Sequence, residues 1–448
     1  MYKSLNKANQ PKFKICILNY SNAYICKLII RNNRKMKVFK FGGASVKDAD
    51  GIRNVANLLQ TVGYHDTCMI VSAMGKTTNA LEEVVKRYFD KEDYTVTIDE
   101  IEKKHIEIAE EVFEDATDVS NEISQFFNDL TSFLRRNKSP NRSYVYDQVV
   151  CCGELISTKI ISMYLNSIGL TNEWLDVRDY IKTDNTYREG KVDWKLTEKN
   201  IASLPTNGFY ITQGFLGSDP NYFTTTLGRE GSDYSAAIFA YCTNAESMTI
   251  WKDVPGVLNA DPRYFNDTEL LNQISYEEAI ELAYYGASVI HPKTLQPLQQ
   301  KEIPFFVKSF INPAEAGTAV RKGQALEPLV PCFILKKEQH LVRLSSKDFS
   351  FITEDKLSEV FTKLSQYQIK VNLMQNSAIS LSLCLEDKYN HLDLFIEEME
   401  NEFKVQLDKD VLLYTIRHFD ANSDSIIDKQ KELLRQTVRE TLQIVVKD

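Results

Sequence analysis

With 448 residues, 43% hydrophobic and 26% charged, the chain can hold two or three domains around a large core, with the make-up of a soluble globular protein. A net charge of −9 at pH 7 argues against a nucleic-acid partner. Eight cysteines without a CxxC spacing or a Cys/His cluster argue against a disulfide framework and a metal site, and no apolar run approaches the ~20 residues of a transmembrane helix. Reduced thiols in a cytoplasm are the expectation.

Residues 1–35 are rich in Lys and Arg and contain no acidic residue. Their apolar residues are broken up by Asn, Tyr and Lys, which makes a poor secretory signal. They are read as a basic leader, expected to be disordered, with Met36 as the functional start. From there, short apolar segments at 38–41, 69–72, 209–213, 248–251 and 305–307 read as buried strands. The helical patterns between them imply crossovers and a largely parallel sheet, a three-layer αβα arrangement. Residues 80–145 are charged and helical in pattern, and are expected to be a helical insertion. The α/β domain is assigned to 36–312 and a linker to 313–330. Beyond it come a strand at 341–344, a helix at 355–364, a strand pair within 370–385, a helix at 392–399 and a strand pair near 405–416. This βαββαβ order gives a ferredoxin-like α+β module over 331–448. The final stretch, 426–446, reads as a helix and a strand, short of a second complete module.

Four segments concentrate the chemistry. Lys40-Phe41-Gly42-Gly43-Ala44-Ser45-Val46 follows a strand and precedes a helical pattern, so backbone N–H groups gather where an anion binds well. Thr224-Thr225-Thr226-Leu227-Gly228-Arg229-Glu230-Gly231-Ser232-Asp233 is a hydroxyl-rich loop running into a helix. Ile250-Trp251-Lys252-Asp253-Val254-Pro255-Gly256-Val257, then Asn259-Ala260-Asp261-Pro262-Arg263, combine a strand end with two turns. Tyr284-Tyr285-Gly286-Ala287-Ser288-Val289-Ile290-His291-Pro292 closes the series. Gly75-Lys76-Thr77 imitates the end of a P-loop, but Ile70 stands where that motif needs glycine.

In these four ordered motifs the chain resembles the aspartate kinases of the amino-acid kinase family, from about Met36 to Thr318 and more loosely beyond. The resemblance implies ATP-dependent phosphorylation of the β-carboxylate of L-aspartate, the entry to lysine, threonine and methionine synthesis. It implies Lys40 as the electrostatic catalyst and Asp233 as the carboxylate that orients it. Phe41, Gly42, Gly43, Lys252, Asp253, Gly256, Leu258, Arg263, Ser288 and Val289 fall on nucleotide positions. Ser72, Ala73 and Thr78 touch the amino acid. Glu154 receives its α-ammonium, Arg229 clamps a carboxylate, and Phe215 and Ser232 line the same pocket. Magnesium is implied as a passenger carried mainly by ATP. The C-terminal module resembles an ACT regulatory domain, implying an amino-acid effector and a homodimer formed through it.

The chain departs from the family at several places. Leu258 replaces a frequent aromatic residue, and Ser288 replaces a frequent lysine, whose charge Lys293 could supply. His291 reads as structural. In the regulatory module, Asp355-Lys356-Leu357 stands for Gly-Phe-Leu, Asn372 for an acidic residue, and Asn376-Ser377-Ala378 for Thr-Ser-Glu. These changes remove the carboxylate a lysine effector would need. Glutamate 5-kinase and uridylate kinase are opposed by the ACT-like module. A ligand sensor built on a degenerate kinase is opposed by the presence of Lys40, Glu154, Arg229 and Asp233 together.

Overall fold

The computed structural model describes residues 35–287 and 290–448. The basic leader, and the candidates Ser288 and Val289, lie outside the described residues. The chain forms two compact units, one up to Trp251 and one from Lys252 onward.

The first unit contains β1 (Lys37–Phe41), α1 (Ala49–Val62), β2 (Thr67–Val71), α2 (Thr77–Asp90), α3 (Thr95–Val112), α4 (Thr117–Arg136) and α5 (Arg142–Ser167). It continues with β3 (Glu173–Leu175), α6 (Val177–Tyr180), α7 (Trp194–Ile201), β4 (Phe209–Gln213), β5 (Leu216–Ser218), β6 (Thr224–Thr226), α8 (Gly231–Cys242) and β7 (Ser247–Lys252). Strands pair in the order β3-β4-β2-β1-β7, every pair parallel. All five residues of β2 and of β4 are buried, which explains their unalternating apolar sequences. Helix α1 buries Ile52, Val55, Ala56 and Leu59 on one face, starts on the Asp48 carboxylate, which accepts from Gly51 N, and stops at Gly63 with φ +86°. Residues 80–145 are mainly helical, spanned by α2, α3, α4 and the start of α5. Helix α5 buries sixteen of its 26 residues, so it has no polar face. Its buried Asp147, Glu154, Ser157 and Thr158 therefore need partners, and those partners lead to the site below.

The second unit contains β8 (Gln273–Ser275), α9 (Tyr276–Tyr285), α10 (Pro292–Gln300), β9 (Phe305–Ser309), β10 (Thr318–Arg321), β11 (Cys332–Ser346) and α11 (Glu354–Gln366). Then follow β12 (Lys370–Asn376), β13 (Ser380–Glu386), α12 (Leu392–Met399), β14 (Phe403–Arg417), β15 (Glu432–Val438) and β16 (Thr441–Lys447). Strand β10 pairs with β8 in parallel and with β9 antiparallel. The ferredoxin-like order appears as β12-β13-β11-β14, all antiparallel, with Val342, Leu344, Val360, Leu383 and Phe395 in its core.

Two expectations change here. The strand pair near 405–416 is one strand of fifteen residues, facing an equally long β11. Register shifts between Lys336 and Leu341, with positive φ at Glu338 and Asp410, let the long pair bend without ending. The final stretch is a hairpin and not a helix and strand. Val438 pairs with Thr441 across Arg439-Glu440, with Arg439 at φ +51°. Strand β16 adds to the far half of β14, and Leu433 and Leu434 pack on a cluster containing Val411 and Val445. Pairing with an existing strand outweighs the weak helical pattern of this stretch. No α-helix occurs among the described residues after β14.

Within this unit the ferredoxin-like sheet is tied to the segment before it. Phe333 N donates to Asn259 O at 2.7 Å, and Asn259 Nδ2 donates to Pro331 O at 3.0 Å. Arg417 forks onto the Glu278 carboxylate of α9, with His418 Nε2 3.0 Å from the same group.

Candidate active site

Strand β1 delivers Lys40 to its C-terminal end. The chain then turns through Gly42 into a four-residue 3-10 turn at Gly43–Val46 before α1 begins. The glycine pair thus belongs to a loop of its own and not to the first turn of α1, as the sequence pattern suggested. Space, and not positive φ, demands glycine at position 43. A Cβ there would lie 2.5 Å from Ala73 O and 2.9 Å from Gly75 O. Gly75 N also donates to Gly43 O at 3.0 Å, pressing the loops after β1 and β2 together.

The Lys40 ammonium lies 2.6 Å from Asp233 Oδ1, both side chains being nearly buried. Asp233 is the third residue of α8. The cap position is Glu230, in the left-handed region at φ +54°, so Asp233 is not an N-cap. A buried ion pair gains little net stability. It does hold the lysine in one place, with two of its three donors free for another anion. Phe215 (φ +70°) donates from N to Ser235 Oγ, and a Cβ on Gly231 would come 2.6 Å from its ring. A Cβ on Gly214 would meet Ser232 Cβ at 2.5 Å. The Gly214-Phe215 turn and the start of α8 are therefore interlocked, which fixes Ser232 and Asp233.

Glu154 projects from α5 with only 3% exposure. Its Oε1 accepts from Ala73 N at 3.3 Å, and its buried Oε2 has no hydrogen-bond partner among the described residues. Burial pushes this carboxyl up to about 8, opposed by the hydrogen bond from Ala73 and by the charge of nearby Lys40. A buried, half-satisfied acid is costly unless a cation completes it. Ser72 O accepts from Ser157 Oγ at 2.8 Å, and Thr78 sits half-buried in the first turn of α2. Arg229 is exposed, with no ion pair or hydrogen bond among the described residues. In the first unit Lys40, Gly42, Gly43, Ser72, Glu154, Phe215, Ser232 and Asp233 are joined by these contacts.

Two residues of this region carried no sequence signal. Buried His105 of α3 donates from Nδ1 to Ile101 O (2.7 Å), and its Nε2 stands 3.5 Å from Thr77 Oγ1, at the start of α2. Burial holds its pKa below the usual histidine value. Asp147 of α5 is fully buried, and burial pushes its carboxyl up to about 6.

The second unit holds the other nucleotide candidates. Lys252 is half-buried and Asp253 exposed. Gly256 is wedged against Thr318, whose hydroxyl would lie 2.5 Å from a Cβ and accepts from Val257 N at 2.8 Å. Leu258 is half-buried and bridged to Leu270. Arg263 is exposed and forks onto Asp261. His291 caps α10 through Nδ1, which accepts from Lys293 N at 3.2 Å, and the Lys293 side chain is exposed.

The profile of the Amino acid kinase family matches residues 35–309. Lysine-sensitive aspartokinase 3 of Escherichia coli (strain K12) is 31% identical over 353 residues, which cover 78% of this chain and 78% of the relative. Two structures of E. coli aspartokinase III are similar to the whole fold. The complex with lysine and aspartate (T-state) aligns with a TM-score of 0.77 at 26% identity. The complex with aspartate and ADP (R-state) aligns with a TM-score of 0.75 at 27% identity. Each covers 92% of this chain and 96% of its own.

Proposed function

Because the chain belongs to the amino acid kinase family, and within it to the aspartate kinases, we propose that its first unit grips L-aspartate between Glu154 and Arg229 and presents the β-carboxylate toward Lys40. The half-satisfied Glu154 carboxylate carries this reading, since an α-ammonium would supply the missing partner of Oε2. Arg229 takes the α-carboxylate in its planar fork. Ser72, Thr78, Phe215 and Ser232 close the pocket around the carbon chain.

The chemistry needs little covalent help. A β-carboxylate oxygen, already ionised at pH 7, attacks the γ-phosphorus. The bond from that phosphorus to the β,γ-bridging oxygen breaks, ADP leaves with the electron pair, and no proton has to move. Lys40 neutralises the charge spread over the moving phosphoryl group, held on line by Asp233, while the Gly42 and Gly43 N–H groups receive phosphate oxygens. Lys252, Asp253, Gly256, Leu258 and Arg263 are assigned to the nucleotide, with Phe41 beneath the phosphate loop. Ser288 and Val289 keep the same assignment, and Lys293 is the substitute for a lysine at 288. The site's acids are engaged, Asp233 with Lys40 and Glu154 with Ala73, so magnesium is assigned to the phosphates of ATP.

The kinase domain is assigned to 36–312 together with β10, which pairs with β8 and β9 inside the 313–330 stretch expected to be a linker, and the ACT-like module to 331–448, with a cytoplasmic homodimer as the working form. No helix among the described residues is long and apolar enough to cross a membrane. The test is trapping of acyl phosphate as a hydroxamate with L-aspartate, L-glutamate or no amino acid, alongside Lys40→Ala, Glu154→Gln and Arg229→Ala. Product with aspartate alone is expected, with Lys40→Ala lowering kcat roughly 10²–10⁴-fold. An unchanged KM for aspartate in both Glu154→Gln and Arg229→Ala would overturn the assignment of the two grips.

A further inference from the structure

Helix α5 carries Glu154 and, seven residues earlier, Asp147. Seven residues are almost two turns, so both side chains leave the same face about 10 Å apart. Asp147 is 0% exposed and accepts three hydrogen bonds. Its Oδ2 takes Thr226 N and Arg188 N, each at 2.9 Å, and its Oδ1 takes Thr226 Oγ1 at 2.8 Å. The adjacent Gln148 repeats the grip two residues earlier in the strand, accepting from Thr224 N and donating to Thr224 O.

Strand β6 runs from these contacts directly into Leu227-Gly228-Arg229. The turn at 188–190 supports that exit. Gly190 N donates to Thr226 O at 2.8 Å, and a Cβ on Gly228 would lie 3.3 Å from Arg188 O. Asp147 thus holds both the strand that leads to Arg229 and the turn on which the loop rests. Nothing comparable is needed for the fold of β6 alone, where an apolar residue against α5 would cost less than a buried carboxylate.

We propose that Asp147 is a positioning residue for substrate specificity: it registers the carboxylate grip at Arg229 against the ammonium grip at Glu154, through the rigid span of α5. This rests on the reading of Glu154 and Arg229 as the two grips on aspartate. With the α-carbon held at both groups, the β-carboxylate is delivered at one distance, and a substrate longer by one methylene overshoots. Slack in the Arg229 loop removes that ruler. The residue acts on the amino acid and not on the nucleotide.

The test compares steady-state constants for aspartate, glutamate and ATP in the full-length wild type, Asp147→Asn, Thr226→Val and Thr226→Ser. The Asn amide oxygen can keep the two backbone donors, but the charge is lost and the link to the Thr226 hydroxyl must reverse direction. The Val variant removes only the hydroxyl link, and Ser restores it. Asp147→Asn is expected to raise KM for aspartate about tenfold, with a smaller rise in Thr226→Val and near wild-type values in Thr226→Ser. The KM for ATP stays unchanged, and the preference for aspartate over glutamate narrows. If Asp147→Asn does not fold, the Val and Ser pair decides. Parallel changes in both KM values, or a loss of thermal stability with unchanged constants, would make Asp147 a structural residue only and overturn the proposal. Glu154→Gln and Arg229→Ala in the same assay separate the two levels. If they raise KM for aspartate and Asp147→Asn does not, the ruler fails while the grips stand.

Discussion

If Glu154 is the ammonium grip proposed above, its protonation state makes aspartate binding pH-dependent. Its carboxyl is pushed up to about 8 by burial, so at pH 7 roughly nine molecules in ten carry it as the acid. An α-ammonium needs the carboxylate, so binding at pH 7 should release about 0.9 proton, less toward pH 9. For stability, a raised carboxyl favours the protonated folded state. The ligand-free protein therefore loses stability as pH rises from about 4.5 to about 8, and aspartate opposes that loss. The assay is KM for aspartate and KM for ATP from pH 6 to 9, with calorimetric titration of aspartate in buffers of different ionisation enthalpy. KM for aspartate should fall close to tenfold per pH unit below 7 and level off above 8, while KM for ATP follows no such curve. In Glu154→Gln the slope and the proton release both disappear. A flat KM for aspartate between pH 6 and 8, or the same slope in the Gln variant, would refute the reasoning.

Gly43→Ala places a methyl within 2.5 Å of Ala73 O, a contact backbone cannot relieve cheaply. It should raise KM for ATP and lower the thermal midpoint, and an unchanged midpoint would refute the packing argument. Arg417→Ala leaves Glu278 buried beside His418 alone, where side-chain exposures were 12% and 9%. A destabilisation on the order of 3 kcal/mol in urea is expected, seen in the transition of the second unit. Lysine should not inhibit this kinase, although its E. coli relative is named as lysine-sensitive. Asn372, at the position usually acidic, is already engaged with Lys336 Nζ at 2.9 Å, Gln339 and Glu386. An inhibition curve with lysine at saturating substrates decides, and half-inhibition below millimolar concentration would refute it.

The elements visible in the sequence were those with a one-dimensional signature. Strands buried on both faces, such as Thr67–Val71, show as apolar runs. Helix α1 shows as a period with a capping aspartate. The three-residue strands β3, β5 and β6 are too short for any period, yet β6 sets the path to Arg229. The hairpin at the C-terminus was misread because its polar residues alternate weakly and its fate is decided by the free flank of β14. Lys40 and Asp233, which the structure brings within 2.6 Å of each other, were singled out through their motifs, as was Arg229. Asp147 and His105 were not, because a polar residue inside an all-buried helix leaves no pattern.

Strand β11 makes the second unit mechanically continuous. Its fifteen residues, at about 3.3 Å each, run up to roughly 50 Å along a strand that bends between Lys336 and Leu341, fastened at Phe333 to the backbone of Asn259, next to Leu258, and reaching Ser346. One strand therefore belongs both to the contact with Asn259 and to the ferredoxin-like sheet, so side chains near Ser346 can change without disturbing the backbone link at Phe333.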